Sequence, residues 1–69
     1  MVAADTINAL DECDTAFAVL NICEGLTPQA RSAMRRAWRA VQDALMAAKG
    51  PESSYTKAVL EVRAQGKGA

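Results

Sequence analysis

The side chains that usually carry chemistry are sparse in this sequence of 69 residues. It contains no histidine, so the common general base near neutral pH is missing. Cys13 and Cys23 have no histidine partners and do not match a zinc-ligand spacing. The four glycines are scattered and make no phosphate-cradling loop. Asp11, Glu12 and Asp14 are close in sequence, but on an exposed helix face they read as solvated charge rather than as a paired acid and base. No catalytic residue, metal ligand or cofactor is expected, and the reading is a binding protein rather than an enzyme.

The most specific positive feature is a ridge of arginines. Arg31, Arg35 and Arg39 recur at intervals of four, the spacing that stacks side chains along one helix face. Trp38 and Gln42 flank this ridge, Met46 continues it, and Arg36 points elsewhere. Such a ridge can meet phosphates or a partner's carboxylates, with Trp38 adding stacking. It can equally pair with acids of the preceding segment, within the chain or across a dimer, with Trp38 in the core. The charge distribution suits both readings. Net charge is zero, yet residues 1–25 carry Asp5, Asp11, Glu12, Asp14 and Glu24 with no basic residue. Residues 26–50 carry Arg31, Arg35, Arg36, Arg39 and Lys49 against Asp43 alone. Asp11, Glu12 and Asp14 offer a second candidate surface, able to dock onto a basic partner or simply to keep a helix solvated.

These side chains must be positioned by helices. Residues 4–24 read as a first helix, with Asp5 or Thr6 as N-cap, acids biased to its start and Gly25 as the left-handed residue after its end. At 100° per residue Ala9, Leu10, Cys13, Ala16, Phe17, Leu20 and Cys23 share one arc. Ile7, Val19 and Ile22 fall outside it, which implies contact on more than one side. Residues 28–49 read as a second helix, opened by Thr27-Pro28 and closed by Lys49-Gly50-Pro51. Ala30, Ala33, Met34, Ala37, Trp38, Val41, Ala44, Leu45 and Ala48 share its apolar face. The connection at residues 25–27 is short enough to force an antiparallel hairpin. Residues 52–64 fit a short third helix through Tyr55, Ala58, Val59 and Val62. A strand is the alternative there, but a lone strand has no partner. Residues 65–69 are expected to fray. The fold class is all-α: one domain, a helical hairpin plus a short C-terminal helix.

A chain this size buries only roughly 60% of its unfolded surface and often needs outside help to be stable. The hydrophobic fraction of 51% overstates the core, because fifteen of those residues are alanine. Leu10, Phe17, Leu20, Met34, Trp38, Val41 and Leu45 are the main candidates for core or dimer contacts. A second copy's apolar face would supply what is missing, so a homodimer assembled into a helical bundle is expected. Ten residues of helix separate Cys13 from Cys23 by about 15 Å along the axis, too far for a bridge. Neither a basic-then-apolar leader nor a membrane-length apolar run is present, so no membrane partner is expected and a reducing cytoplasm fits. A DNA-binding helix-turn-helix is disfavoured, because that motif pairs short helices and this second helix is long. Zero net charge also weakens attraction to DNA, which leaves direct nucleic-acid binding as the alternative function.

Over about residues 5–50 the chain resembles small helical proteins that bacteriophages use to bind and inactivate host proteins. The likeness lies in a hairpin closed by Gly25 and reopened by Thr27-Pro28, an alanine-rich second helix and the lack of catalytic groups. It is similar in size and helical character to phage quorum-sensing anti-activators, dimers that bind the DNA-binding domain of a host activator. What the resemblance implies is a stoichiometric inhibitor of a host transcriptional regulator, with no residue-level role transferred.

Overall fold

The computed structural model describes residues 3–66. Three helices account for them in chain order: α1 (Ala4–Asn21), α2 (Pro28–Lys49) and α3 (Ser54–Gly66). No strand occurs among the described residues, so the all-α reading holds and residues 54–66 are helix rather than strand. Of the residues expected to fray, Gln65 and Gly66 are helical. Lys67, Gly68 and Ala69 lie outside the described residues.

The boundaries of α2 match expectation because its end signals are local and strong. The Thr27 hydroxyl oxygen accepts from the Ala30 amide at 3.1 Å, and Pro28 occupies the first turn, where a missing N–H is harmless. At the other end Gly50 takes φ +92°, and its amide donates to the Met46 carbonyl at 2.9 Å. Helix α1 stops three residues short of the expected Glu24. Its last turn tightens into short-range bonds, Ile22 N–H to Val19 O at 3.2 Å and Cys23 N–H to Leu20 O at 3.1 Å. Gly25, at φ +89°, then reverses the connection. The N-cap position is held by Ala3, with no side-chain bond, so neither Asp5 nor Thr6 caps; Asp5 lies in the first turn.

Contacts run in opposite chain directions on α1 and α2. Arg31 meets Asn21, Trp38 meets Asp14, and Lys49 meets Asp11, which makes the hairpin antiparallel. Helix α3 folds back along α2 in the same manner, with Tyr55 near Lys49 and Arg63 near Gln42 and Arg39. Helix α2 is therefore central, packed by α1 and by α3.

The core is thin. Leu45 is fully buried, Met34 and Val59 nearly so, and Thr56 is the buried polar residue among those described. Of the other expected core residues, Leu10, Phe17, Trp38 and Val41 are half-buried, and Leu20 is exposed. The reason is a rotation of α1 about its axis. Its partly buried line is Ile7, Leu10, Asp14, Phe17 and Asn21, a heptad-like set, so Ala9, Cys13, Ala16 and Leu20 turn outward. Val19 and Ile22, expected to meet a second neighbour, are also exposed. The radius of gyration of 12.9 Å exceeds the roughly 11 Å typical of this chain length.

Candidate interaction surfaces

The arginine ridge does not act as one unit. Arg31 is partly buried and reaches back across the turn. Its guanidinium donates to the Asn21 carbonyl at 2.7 Å and to the Cys23 carbonyl at 2.9 Å. Helix α1 has no basic residue in its last turn, so a cation from α2 supplies the charge that its carbonyl end attracts. Arg31 is thus a clamp on the hairpin, and neither sequence reading of it anticipated backbone carbonyls as its partners. Arg35, Arg36 and Arg39 are exposed, and none of their guanidinium groups pairs with a carboxylate among the described residues. The expected pairing of these arginines with α1 acids within one chain is therefore absent there.

The acids of α1 divide in a similar way. Asp11 pairs with Lys49 at 3.0 Å, and Asp14 accepts from the Trp38 indole N–H at 2.7 Å. Glu12 of this trio is exposed and pairs with no cation among the described residues. Trp38 is consequently neither a stacking platform nor a fully buried core residue; its ring packs inside while its N–H is satisfied by Asp14. Gln42 accepts from Arg63 at 3.2 Å.

Arg63 was not singled out from the sequence, although it ties α3 to α2. It pairs with Asp43 at 2.9 Å and donates to the Arg39 carbonyl as well. Tyr55, Trp38, Asp14, Gln42, Val59 and Arg63 line a cleft of ≈ 300 Å³ between the three helices. The Tyr55 hydroxyl is buried there without a hydrogen-bond partner of good geometry among the described residues. Burial pushes its pKa up to about 12, with the negative charge of Asp14 adding to the effect and Arg63 opposing it. Lys49 sits over the Tyr55 ring, 4.7 Å from its centre, while bonded to Asp11.

The opposite side of the hairpin is bare. Asp11 and Asp14 on α1, with Trp38, Gln42 and Lys49 on α2, mark the side that α3 covers. Roughly half a turn around each helix axis from them come Ala9, Cys13, Ala16 and Leu20, and the alanines at 33, 37, 40 and 44. All of these are exposed. Among the described residues no group of three or more Cys, Asp or Glu side chains converges as a metal site requires. No described helix is long and apolar enough to cross a membrane. Comparison of the chain with protein-family models, with curated proteins and with solved structures finds no match.

Proposed function

We propose that this chain is a non-enzymatic protein-interaction module, a homodimer that inhibits or modulates another protein such as a DNA-binding regulator of transcription. The observation that carries this reading is the one-sided cover of the hairpin. Helix α3 packs on α2 and approaches α1 at the cleft beside Asp14, while the other side of the hairpin is lined by exposed Leu20, Cys13 and alanines. A contiguous apolar surface of this kind is the mark of a site where another protein docks. The unpaired Arg35, Arg36 and Arg39 add a basic edge suited to an acidic partner surface. The class of target, a host regulator, follows from the resemblance to phage helical inhibitors, and two free thiols suit a reducing compartment such as the cytoplasm.

Affinity capture from cells of the source organism tests the reading, with the wild type compared with an Arg35→Ala/Arg36→Ala/Arg39→Ala variant. The expected result is a stoichiometric partner protein held by the wild type and released by the triple variant. If the wild type retains no protein beyond what a charge-matched helical control retains, the interaction reading is wrong. A second reading, direct nucleic-acid binding, is favoured by the same three unpaired guanidinium groups. It predicts a salt-dependent gel shift that the triple variant abolishes; absence of a shift at about 50 mM salt removes it.

A further inference from the structure

The bare face carries a pattern that selects its occupant. On α2, Ala30, Ala33, Ala37, Ala40, Ala44 and Ala47 alternate by three and four residues, and every one is exposed. This is a strict heptad seam, the spacing by which one helix lies along another. It is also symmetric in number. An antiparallel copy sets Ala37 against Ala40, Ala33 against Ala44 and Ala30 against Ala47, all in one register. The centre of that register is the peptide joining Trp38 and Arg39.

Helix α1 repeats the arrangement independently. Ala9, Cys13, Ala16 and Leu20 follow the same spacing and are likewise exposed. In an antiparallel pair Cys13 meets Ala16, and Leu20 fits against Ala9, a large side chain over a small one. This register centres on the peptide joining Asp14 and Thr15. The 2.7 Å bond from Trp38 to Asp14 places the two centres level with each other in the hairpin. One two-fold axis can therefore pass through both seams at once.

We infer that the occupant of this face is a second copy of the chain, stacked with α1 on α1 and α2 on α2, both antiparallel. Two further observations agree. The chain exposes 5078 Å², against roughly 4,200 Å² for a monomeric protein of its mass. The difference of about 900 Å² is spread over the whole chain, exposed Ile22, Leu60 and Val62 included, and is large enough to accommodate the ~800 Å² that each partner buries in a standard stable interface. On the outer flank of the α2 seam, Arg36 and Asp43 occupy equivalent heptad positions, so Arg36 of one copy falls beside the partner's Asp43, whose second oxygen it can share with the Arg63 that already pairs with Asp43 within each chain. Arg36 has no carboxylate partner within its own chain among the described residues. Small side chains along both seams let the helix axes approach to about 8 Å. Each α3 then stays on the outside, with Arg35 and Arg39 free for another protein.

The inference rests on the homodimer reading above and adds its face and register, so the test separates the two. In a Cys13→Ala/Cys23→Ser background, Ala30→Cys and Ala47→Cys are combined in one chain and oxidised mildly. The two new thiols lie about 25 Å apart along α2, beyond any bridge within the chain. A covalent dimer from the double variant, with little from either single variant, supports the antiparallel register. Cross-linking of Ala30→Cys alone as efficiently as the pair would mean a parallel arrangement and overturn it. A sedimentation dimer that does not cross-link would overturn the face while leaving dimerisation intact, and a monomer would overturn both. As a second arm, Arg36→Glu should weaken the dimer about tenfold by placing like charges together, while Glu12→Gln, away from both seams, should leave it unchanged; equal effects would overturn the register. Circular dichroism confirms that each variant retains its helices before it is scored.

Discussion

Arg31 illustrates how one side chain can be read correctly for type and spacing and still be misassigned. Its interval to Arg35 and Arg39 suggested a common partner, yet its guanidinium is spent on the carbonyls of Asn21 and Cys23. Backbone carbonyls have no signature in a sequence, so this use was not legible there. Arg31→Ala should lower stability by about 2 kcal/mol, since it removes two charge-assisted bonds and leaves carbonyls unpaired. Arg35→Ala, on the exposed edge, should change it by less than about 0.5 kcal/mol. Urea denaturation monitored by circular dichroism measures both; equal losses would contradict the clamp. Tyr55 provides a second test at this scale. Its folded pKa of about 12 lies above the ordinary tyrosine value of about 10, so the folded state holds the phenolic proton more tightly than the unfolded state. The associated stability is complete below pH 10 and is lost as pH rises toward 12. Tyr55→Phe should flatten that decline, as stability measured across this range would reveal, and an unchanged decline would point to other groups.

At the scale of elements, the strength of the local signals decides what could be read. Helix α2 was legible to the residue because Thr27, Pro28, Lys49 and Gly50 act within one turn of its ends. Helix α1 was legible as a helix but not in its orientation. Counting apolar residues gives Ala9, Cys13 and Ala16 the same weight as Leu10 and Phe17, although they supply far less area to bury. Asp14 read as outward-facing, and it turns inward where the Trp38 indole N–H meets its carboxylate; Asn21 is also half-buried, with its Oδ1 left without a hydrogen-bond partner among the described residues. Helix α3 held a missed signal. Ser53 accepts from the Thr56 amide at 3.1 Å, and Thr56 donates from its hydroxyl to the Gly50 carbonyl at 2.7 Å. A serine three residues before a hydrogen-bonding side chain is a helix-start pattern, and it would have moved the expected start from residue 52 to 54. This clasp holds α3 against the end of α2. Thr56→Val keeps the volume but removes this bond, leaving the Gly50 carbonyl with the Ser53 amide alone at 3.3 Å, so it should cost about 0.5–1.5 kcal/mol. A cost near zero in thermal unfolding would show that the clasp is incidental.

At the scale of the whole molecule, the shortage of core was visible in the alanine count, but the face left uncovered was not. The side taken by α3 depends on where the Gly50–Ser53 turn sends the chain, which no periodicity in α1 or α2 encodes. Once that side is known, Ala30, Ala33, Ala37 and Ala44, read from the sequence as part of the apolar face of α2, lie exposed outside the hairpin. In the proposed dimer a second copy covers them with the symmetry their spacing already contains, which leaves Arg35 and Arg39 at the edge for the proposed partner. Sedimentation equilibrium over a range of micromolar concentrations, comparing the wild type with Ala40→Glu, tests this most directly. The account predicts a wild-type mass of twice the chain and a shift toward monomer for Ala40→Glu, which buries a charge at the centre of the seam. A wild type that remains monomeric throughout, or an Ala40→Glu variant that dimerises equally well, would contradict it.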